Sequence, residues 1–563
     1  MKVEILSTEL IKPYTSTPLS LRHYNISLLD ELSPTMNVPT ILYYPVDIHS
    51  CGKQYQESKM EVEILSTELI KPYTSTPLSL RHYNISLLDE LSPTMNVPTI
   101  LYYPVDIHSC GKQYQESKME VEILSTELIK PYTSTPLSLR HYNISLLDEL
   151  SPTMNVPTIL YYPVDIHSCG KENVTTHSIC MHLKKSLSMA LTRFYPFAGR
   201  YMKESYMVDC SDQGAEFVQA QVDIRLDQLI GLGKNVQVEL LNCLLPRPVG
   251  ACDKDTDPQL AVQVSAFACG GYAIGILSSH IIADMSTTSS FVVEWAREAK
   301  QLLEGLDHDH DHDLSVSPSW NSAMLFPGCK LPRLPPRFSV DHKIVTKVFS
   351  FSDSAILKIR EKARLDSSSE KLPTRVQSVF GILGKAIVDI NCVIPGRPKR
   401  FLVSQTVNMR GRTDPPISKK QCGNLYLVAS ARSVAGEAGV DLQSLVELLT
   451  DSVRRELANC KKIVPSKGEK MMITPGFNEL GKAFADPEIS SVVMFSDWCK
   501  FPLYEADFGW GKPGWVSGVH VPMPNIVYLL RDRSGEGIEA WVNLSVDDMA
   551  KLEQDANIME FTS

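Results

Sequence analysis

Two short clusters hold the residues with the clearest capacity for chemistry. The first is Ser279-His280-Ile281-Ile282-Ala283-Asp284. Of fourteen histidines, only His280 has an acidic residue four positions on. It ends an apolar run and precedes a helical one, a place where side chains project from a sheet edge into a cleft. An imidazole there can serve as a general base near neutral pH. Asp284 either orients it, or caps the next helix and binds a distant cation. A satisfied core or surface histidine explains this spacing alone equally well. The second cluster is Asp507-Phe508-Gly509-Trp510-Gly511, followed by Lys512-Pro513. Two glycines around a tryptophan mark a tight bend with close backbone approach. Asp507 can accept hydrogen bonds from amides of that bend, which on chemistry alone is a structural role.

The elements that must position these residues follow from periodicity. Leu260, Val262 and Val264 alternate as a half-buried strand, Gly270-Gly271 punctuates, and Tyr272 to Ser278 reads as a more buried partner. A helix runs from Ser286 through Phe291, Trp295 and Leu302. Upstream, Cys180, Leu183, Leu187, Ala190, Leu191 and Phe194 recur at helical spacing between His177 and Tyr195, and Pro196 ends the helix. From about Asp307 to Pro336 the composition turns acidic, then rich in Ser, Pro and Gly, as in a long linker. Beyond it, Ser352–Ala363, Thr374–Ile387 and Leu442–Cys460 read as helices, with Thr374 a candidate N-cap. Phe401–Met409, Ile526–Leu530 and Ile538–Val542 read as strands. The fold class is therefore α/β: two mixed layers, each a sheet with helices, joined by one crossover.

The chain has 563 residues, but one segment near its start is written three times. Val3 to Lys53, Val62 to Lys112 and Val121 to Lys171 are identical, at a period of 59. Natural repeats drift, and their terminal units differ to cap the stack. Each unit holds VEILSTELI and VPTILYYPVDI, two strands around a Pro/Ser/Thr region, and cannot bury its apolar face alone. Only the third copy runs into new sequence, at Glu172. Residues 1–118 are therefore assigned as two surplus copies outside the core and dispensable. Residues 119–306 and 344–563 form two domains, and 307–343 the crossover linker.

Net charge is -10 and the pI about 5.8, which argues against nucleic acid as partner. No run approaches the roughly 20 apolar residues that span a bilayer, and the start lacks a secretory core. Thirteen cysteines without a CxxC suggest neither a zinc ribbon nor a disulfide scaffold. The expectation is a cytoplasmic protein with buried, unpaired thiols. The run Asp307-His-Asp-His-Asp-His-Asp313 could chelate a metal, but sits in the linker without fixed geometry, so no metal is assigned. Gly509 to Gly514 matches GxGxxG only as a string, because Pro513 stands where a helix should start. Asn143-Ile144-Ser145 matches a glycosylation sequon and is read as silent. There is no Walker loop and no GxSxG.

Taken together, His280-Ile-Ile-Ala-Asp284 upstream and Asp507-Phe-Gly-Trp-Gly511 near the C-terminus resemble the plant BAHD acyltransferases, in order and separation. The likeness extends over 119–563. It includes Leu183-Lys-Lys-Ser-Leu187 with Phe194 to Arg200, and Asn408-Met409-Arg410 with Pro415-Pro416 and Gly423-Asn424. Ile129 to Pro136 and Trp498-Cys499-Lys500-Phe501 look most like the alkaloid-acetylating branch. The resemblance implies two chloramphenicol-acetyltransferase-like domains with a channel between them, and acyl-CoA, most simply acetyl-CoA, as co-substrate. The partner it implies is a small hydroxyl acceptor such as an alkaloid, and the enzyme a monomer. His280 would be the base. Asp284 would be structural, paired with Arg410 and supported by Asn408. Asp507 is often named with the histidine as catalytic, while Asp507, Gly509, Trp510 and Gly511 would hold the second domain's shape. Ser496 and Trp498 would sit near the reacting carbonyl as hydrogen-bond donors, though core packing explains Trp498 equally well. Thr374, Arg375 and Ser378 stand where the family contacts CoA. One departure is Met285, where many members have glycine. Another acyl donor (aromatic), a volatile alcohol acceptor, or a silent binding relative remain alternatives.

Overall fold

In the computed structural model, side chains are described for residues 119–163, 177–231, 237–252, 254–305, 317–332, 343–364, 372–391, 399–436, 439–463 and 475–562, with backbone strands before them. The chain divides into two compact units, Met1–Glu116 and Ser117–Ser563. In the first, strands of copies one and two pair with each other in parallel and in register. Lys2–Ile5 lies beside Glu61–Ile64, His23–Ser27 beside His82–Leu87, and Thr40–Tyr43 beside Thr99–Tyr102.

The second unit contains two six-stranded mixed sheets and a small three-stranded one. The first sheet runs, across its width, Trp515–Ser517, Asn155–Tyr162, Tyr272–Ser279, Leu260–Phe267, Ala215–Val222 and Val121–Ile129. Among its described strands the only parallel pair is Ala215–Val222 with Leu260–Phe267. Leu260–Phe267 and Tyr272–Ser279 are buried at every position. Both faces are covered, which is why their apolar runs are nearly continuous rather than strictly alternating. Gly275 is a contact point of that cover, since a Cβ there would lie 2.0 Å from the Leu244 carbonyl oxygen.

Helix Thr176–Arg193 ends short of the expected Tyr195, because Tyr195–Ala198 forms a 3-10 turn opening on Pro196. It packs on helix Met285–Glu304, whose Trp295 indole N–H donates to the Leu183 carbonyl (3.2 Å) and Ser186 Oγ (3.1 Å). The second sheet runs Ile344–Phe351, Ile538–Ser545, Ile526–Arg531, Ile489–Asp497, Lys399–Asn408 and Tyr426–Ala435. Helices Arg375–Cys392 and Leu442–Cys460 pack against it, burying Val379, Phe380, Leu383, Ile387, Leu445 and Leu449. The first of these runs beyond the expected Ile387 to Cys392. Helix Lys470–Ala485, with Pro475 inside it, was not apparent from periodicity.

Part of the expected linker is pinned. Glu149, fully buried, accepts hydrogen bonds from the backbone N–H groups of Cys329, Lys330 and Leu331 at 2.9–3.0 Å. The Asp307–Asp313 run lies outside the described residues, among which no group of His, Cys, Asp and Glu could hold a metal ion. No helix among them is long and apolar enough to cross a membrane. Of the nine described cysteines, Cys180, Cys210, Cys252, Cys422 and Cys460 are buried.

The strand Trp515–Ser517 comes from the second half of the chain yet forms the edge of the first sheet, antiparallel to Asn155–Tyr162. Aromatic rings continue the join. Tyr161 stacks on Trp515 (4.7 Å), and Trp515, Trp541, Tyr528 and Trp498 follow at 6.4, 6.1 and 4.7 Å between centroids. The carboxylate of buried Glu539 accepts from Trp515 Nε1 (3.2 Å) within this stack. Burial pushes the Glu539 carboxyl up to about 7, against the pull of Trp515 and Arg533. A folded-state value above the unfolded one means native protein holds a proton that unfolded chain has lost. Stability from this group is full below the ordinary value near 4.5 and lost as pH rises through about 7. Glu539→Gln, which keeps an oxygen acceptor for Trp515, should remove a loss of roughly 3 kcal/mol over that window. Urea unfolding of both proteins at pH 5 and pH 8 checks this: parallel pH dependence would contradict it.

Candidate active site

His280 follows directly on the buried strand Tyr272–Ser279, and its backbone N–H donates to the Met154 carbonyl (2.8 Å). This tethers it to the residue that precedes strand Asn155–Tyr162, and the side chain is partly exposed. Its Nδ1 lies 2.8 Å from Asn424 Oδ1, and its ring faces Tyr426 at 6.0 Å between centroids. Asn424, fully buried, comes from the segment preceding strand Tyr426–Ala435. Its Nδ2 donates to the His280 carbonyl and to Asp148 Oδ1, both at 2.8 Å. Its backbone N–H donates to the same Asp148 oxygen at 2.8 Å. Burial pushes the Asp148 carboxyl up, although hydrogen bonds from Ser145 and Asn424 work against the rise.

The Asp284 carboxylate takes hydrogen bonds from backbone N–H groups and from Arg410. It caps helix Met285–Glu304, accepting the Thr287 N–H at 2.8 Å, and takes the Leu425 N–H at 3.1 Å. Arg410 grips it bidentately, Nη1 to Oδ2 at 2.7 Å and Nη2 to Oδ1 at 3.1 Å. Burial alone would raise the Asp284 carboxyl; the Arg410 guanidinium and these hydrogen bonds outweigh it and hold it below the usual range. The rest of the guanidinium donates to the carbonyls of Gln421 (2.7 Å) and Gly423 (2.9 Å), and to Asn408 Oδ1 (3.3 Å). The pair thus fixes the segment that presents Asn424. Met285, just after Asp284, is buried and receives the Thr158 hydroxyl at its sulfur, 3.8 Å away.

Asp507 turns its own loop. Oδ1 accepts the N–H groups of Gly509 and Gly511, both at 2.9 Å, and Oδ2 accepts Lys300 Nζ at 2.8 Å. Both glycines have positive φ (+101° and +106°), and a Cβ on Gly509 would meet Leu303 Cδ1 at 2.5 Å. Burial raises the Asp507 carboxyl, but Lys300 and the two loop amides bring it below its ordinary value. Phe508 is fully buried against Trp295 at 4.9 Å. The family resemblance implied that this loop holds the second domain's shape. Its partners Lys300, Trp295 and Leu303 instead lie on helix Met285–Glu304 of the first half, because the chain returns there to add its edge strand.

The transferase family profile matches residues 119–559. The chain belongs to the BAHD acyltransferase family. Vinorine synthase of Rauvolfia serpentina is 34% identical over 440 residues, covering 77% of this chain and 96% of that protein. Stemmadenine O-acetyltransferase of Catharanthus roseus is 32% identical, covering 77% and 97%. A pelargonidin-glucoside malonyltransferase of Salvia splendens is 34% identical, covering 79% and 100%. The crystal structure of vinorine synthase superposes with a TM-score of 0.65 at 31% identity, over 79% of this chain and 99% of that one. The fold is thus the two-domain, chloramphenicol-acetyltransferase-like one, and the protein is an acyl-CoA-dependent O-acyltransferase.

In this BAHD chain the other expected site residues occupy two further places. Ser496 lies at the end of strand Ile489–Asp497 and Trp498 directly follows it. They are not independent donors, since Trp498 Nε1 donates to Ser496 Oγ at 2.9 Å. The indole therefore holds the hydroxyl, which also lies 3.3 Å from Thr406 Oγ1. Thr374 caps helix Arg375–Cys392, its Oγ1 accepting the Gln377 N–H at 3.2 Å. Arg375 pairs with Asp353 and donates to the Glu536 carbonyl. Ser378 is fully buried and donates to the Thr374 carbonyl at 3.0 Å. Its hydroxyl thus bonds within its own helix. Of the three, Arg375, half-exposed, is the one with chemistry suited to a phosphate. Missing from the sequence reading was Asp148, whose place beside Asn424 no local pattern announces.

Proposed function

We propose that the protein transfers an acetyl group from acetyl-CoA to a hydroxyl of an alkaloid or similar apolar alcohol, with His280 as general base. The observation behind this is the 2.8 Å contact of His280 Nδ1 with Asn424 Oδ1, at the end of a buried strand. A base so held can take the acceptor's proton at its other nitrogen as the oxygen attacks the thioester carbonyl. The carbon–oxygen bond forms, the carbon–sulfur bond breaks, and the imidazolium returns the proton to the departing thiolate. Ser496, steadied by Trp498, is assigned to the oxyanion, a role worth about 3 kcal/mol of barrier. Arg375 is assigned to a CoA phosphate. Asp284, Arg410 and Asn408 hold the loop, and Asp507 with Gly509, Trp510 and Gly511 holds the domain contact.

The acetyl group and the alkaloid are supported by the relatives named as alkaloid acetyltransferases. We further assign the two transferase domains to 119–306 and 344–563, and take the enzyme as a cytoplasmic monomer. The test is free-thiol release from acetyl-CoA, with malonyl-CoA and an aromatic acyl-CoA beside it. The acceptors are a panel of hydroxylated alkaloids and simple alcohols. Acceptor-dependent release that vanishes in His280→Ala is the expected result. Undiminished release in the variant would remove His280 from its role. A chain starting at Met119 should turn over at the full-length rate, within about twofold, since family likeness begins there; lost activity would show that copies one and two are needed.

A further inference from the structure

We propose that Asp148 is a positioning residue for His280, acting through Asn424 to fix which imidazole nitrogen is the base. The inference rests on the reading of His280 as general base and concerns a residue from a different element, 132 positions upstream. The amide of Asn424 could sit either way round, and its neighbours decide. Its Nδ2 faces two groups that can only accept here, the His280 carbonyl and Asp148 Oδ1, each at 2.8 Å. That end must therefore be the NH2 group. The other end, 2.8 Å from Nδ1, must be the oxygen. An oxygen there accepts, so Nδ1 carries the proton and Nε2 is the basic nitrogen.

Asp148 is itself held in place. Its Oδ2 accepts the Ser145 N–H at 2.8 Å and the Ser145 hydroxyl at 2.7 Å, closing a capping box at the start of helix Leu146–Leu150. A helix cap needs only Oδ2. The two donations from Asn424 to Oδ1 serve no purpose in capping, and the side chain is fully buried. Replacing the carboxylate by an amide puts a group with donors opposite Asn424 Nδ2. With only the His280 carbonyl left to hold it, the Asn424 amide can then turn over, offering N–H to Nδ1 and moving the proton to Nε2, the wrong nitrogen for proton abstraction.

The experiment uses the full chain. Asp148 has identical counterparts at Asp30 and Asp89, so Asp30→Asn, Asp89→Asn and Asp148→Asn are combined to leave no carboxylate at this place in any copy. The expected result is a kcat lowered roughly 10²-fold, short of the ~10⁴-fold loss where an orienting carboxylate touches its histidine directly. KM for acyl-CoA is unchanged, and the acid limb of kcat/KM moves to lower pH. Adding Asn424→Asp restores an acceptor-only partner for Nδ1 and should recover at least tenfold of the loss. A folded triple variant with wild-type kcat and pH profile would overturn the proposal, and so would a further loss on adding Asn424→Asp. Should the triple variant not fold, ¹⁵N NMR of ring-labelled wild-type protein decides, with His280→Gln assigning the signal: a neutral His280 protonated at Nε2 overturns it. The His280→Ala assay stands apart. If that variant is active, the base assignment fails; if it is inactive while the Asp148 variants are unaffected, only this relay fails.

Discussion

His280→Ala should lower kcat by about 10²–10⁴-fold, the range a positioned general base contributes. The magnitude follows from what remains. Without the imidazole, the acceptor hydroxyl must shed its proton to water as it attacks, while alignment of the two substrates survives. The base acts in the transition state and not on bound acyl-CoA, so KM for acyl-CoA should stay near its wild-type value. The fold should hold, because the ring is partly exposed and the backbone N–H to the Met154 carbonyl does not depend on it. Asn424 Oδ1 loses its donor but sits beside the cleft the ring leaves, where water can enter. The pH profile carries a second reading. The acid limb of kcat/KM reports loss of the basic imidazole, and in the variant that limb should flatten. A variant that keeps the limb and loses only twofold in kcat would show that another group is the base.

What the sequence made legible, and what it hid, divides along a physical line. His280, Asp284 and the glycines of the Asp507 loop were legible because each answers to local geometry. A strand ends at Ser279, a helix needs a cap at Asp284, and two positive φ angles need Gly509 and Gly511. The helices Met285–Glu304 and Leu442–Cys460 were legible for the same reason, since each buries one face. Asp148 was hidden because its meaning lies in a partner 276 residues away. Nothing in Leu-Leu-Asp-Glu separates a carboxylate that meets Asn424 from one that faces water. The adjacent Glu149 was hidden likewise, and its grip on the linker backbone comes from sequence distances of 180–182. The edge strand Trp515–Ser517 was too short for periodicity and crosses to the other half of the fold. That crossing also explains why the Asp507 loop looked like part of the second domain while packing on the first.

Arg410→Ala should cost about 3–5 kcal/mol of folding stability, the scale for stripping one partner from a buried ion pair. The two side chains are 3% and 10% exposed, so solvent does little to screen the charge left behind. Asp284 would keep only the Thr287 and Leu425 N–H groups, and the Gln421 and Gly423 carbonyls would lose their donor. Those carbonyls flank the segment that presents Asn424 to His280, so kcat should fall along with stability. The pH dependence gives the sign check. In the wild type the Asp284 carboxyl is depressed, so its contribution is present above the unfolded value and lost as pH falls through the folded one. With the guanidinium gone, burial dominates and raises that carboxyl, so the variant is relieved by taking up a proton. The stability gap between the two proteins should therefore narrow on going from pH 7.5 to pH 5. Asp284→Ala combined with Arg410→Ala should be less damaging than the sum of the two, since neither charge is then left alone. Urea unfolding of the four proteins at both pH values measures all of this. A gap that widens toward acid, or strictly additive losses, would mean that the carboxylate and guanidinium do not act as one buried pair.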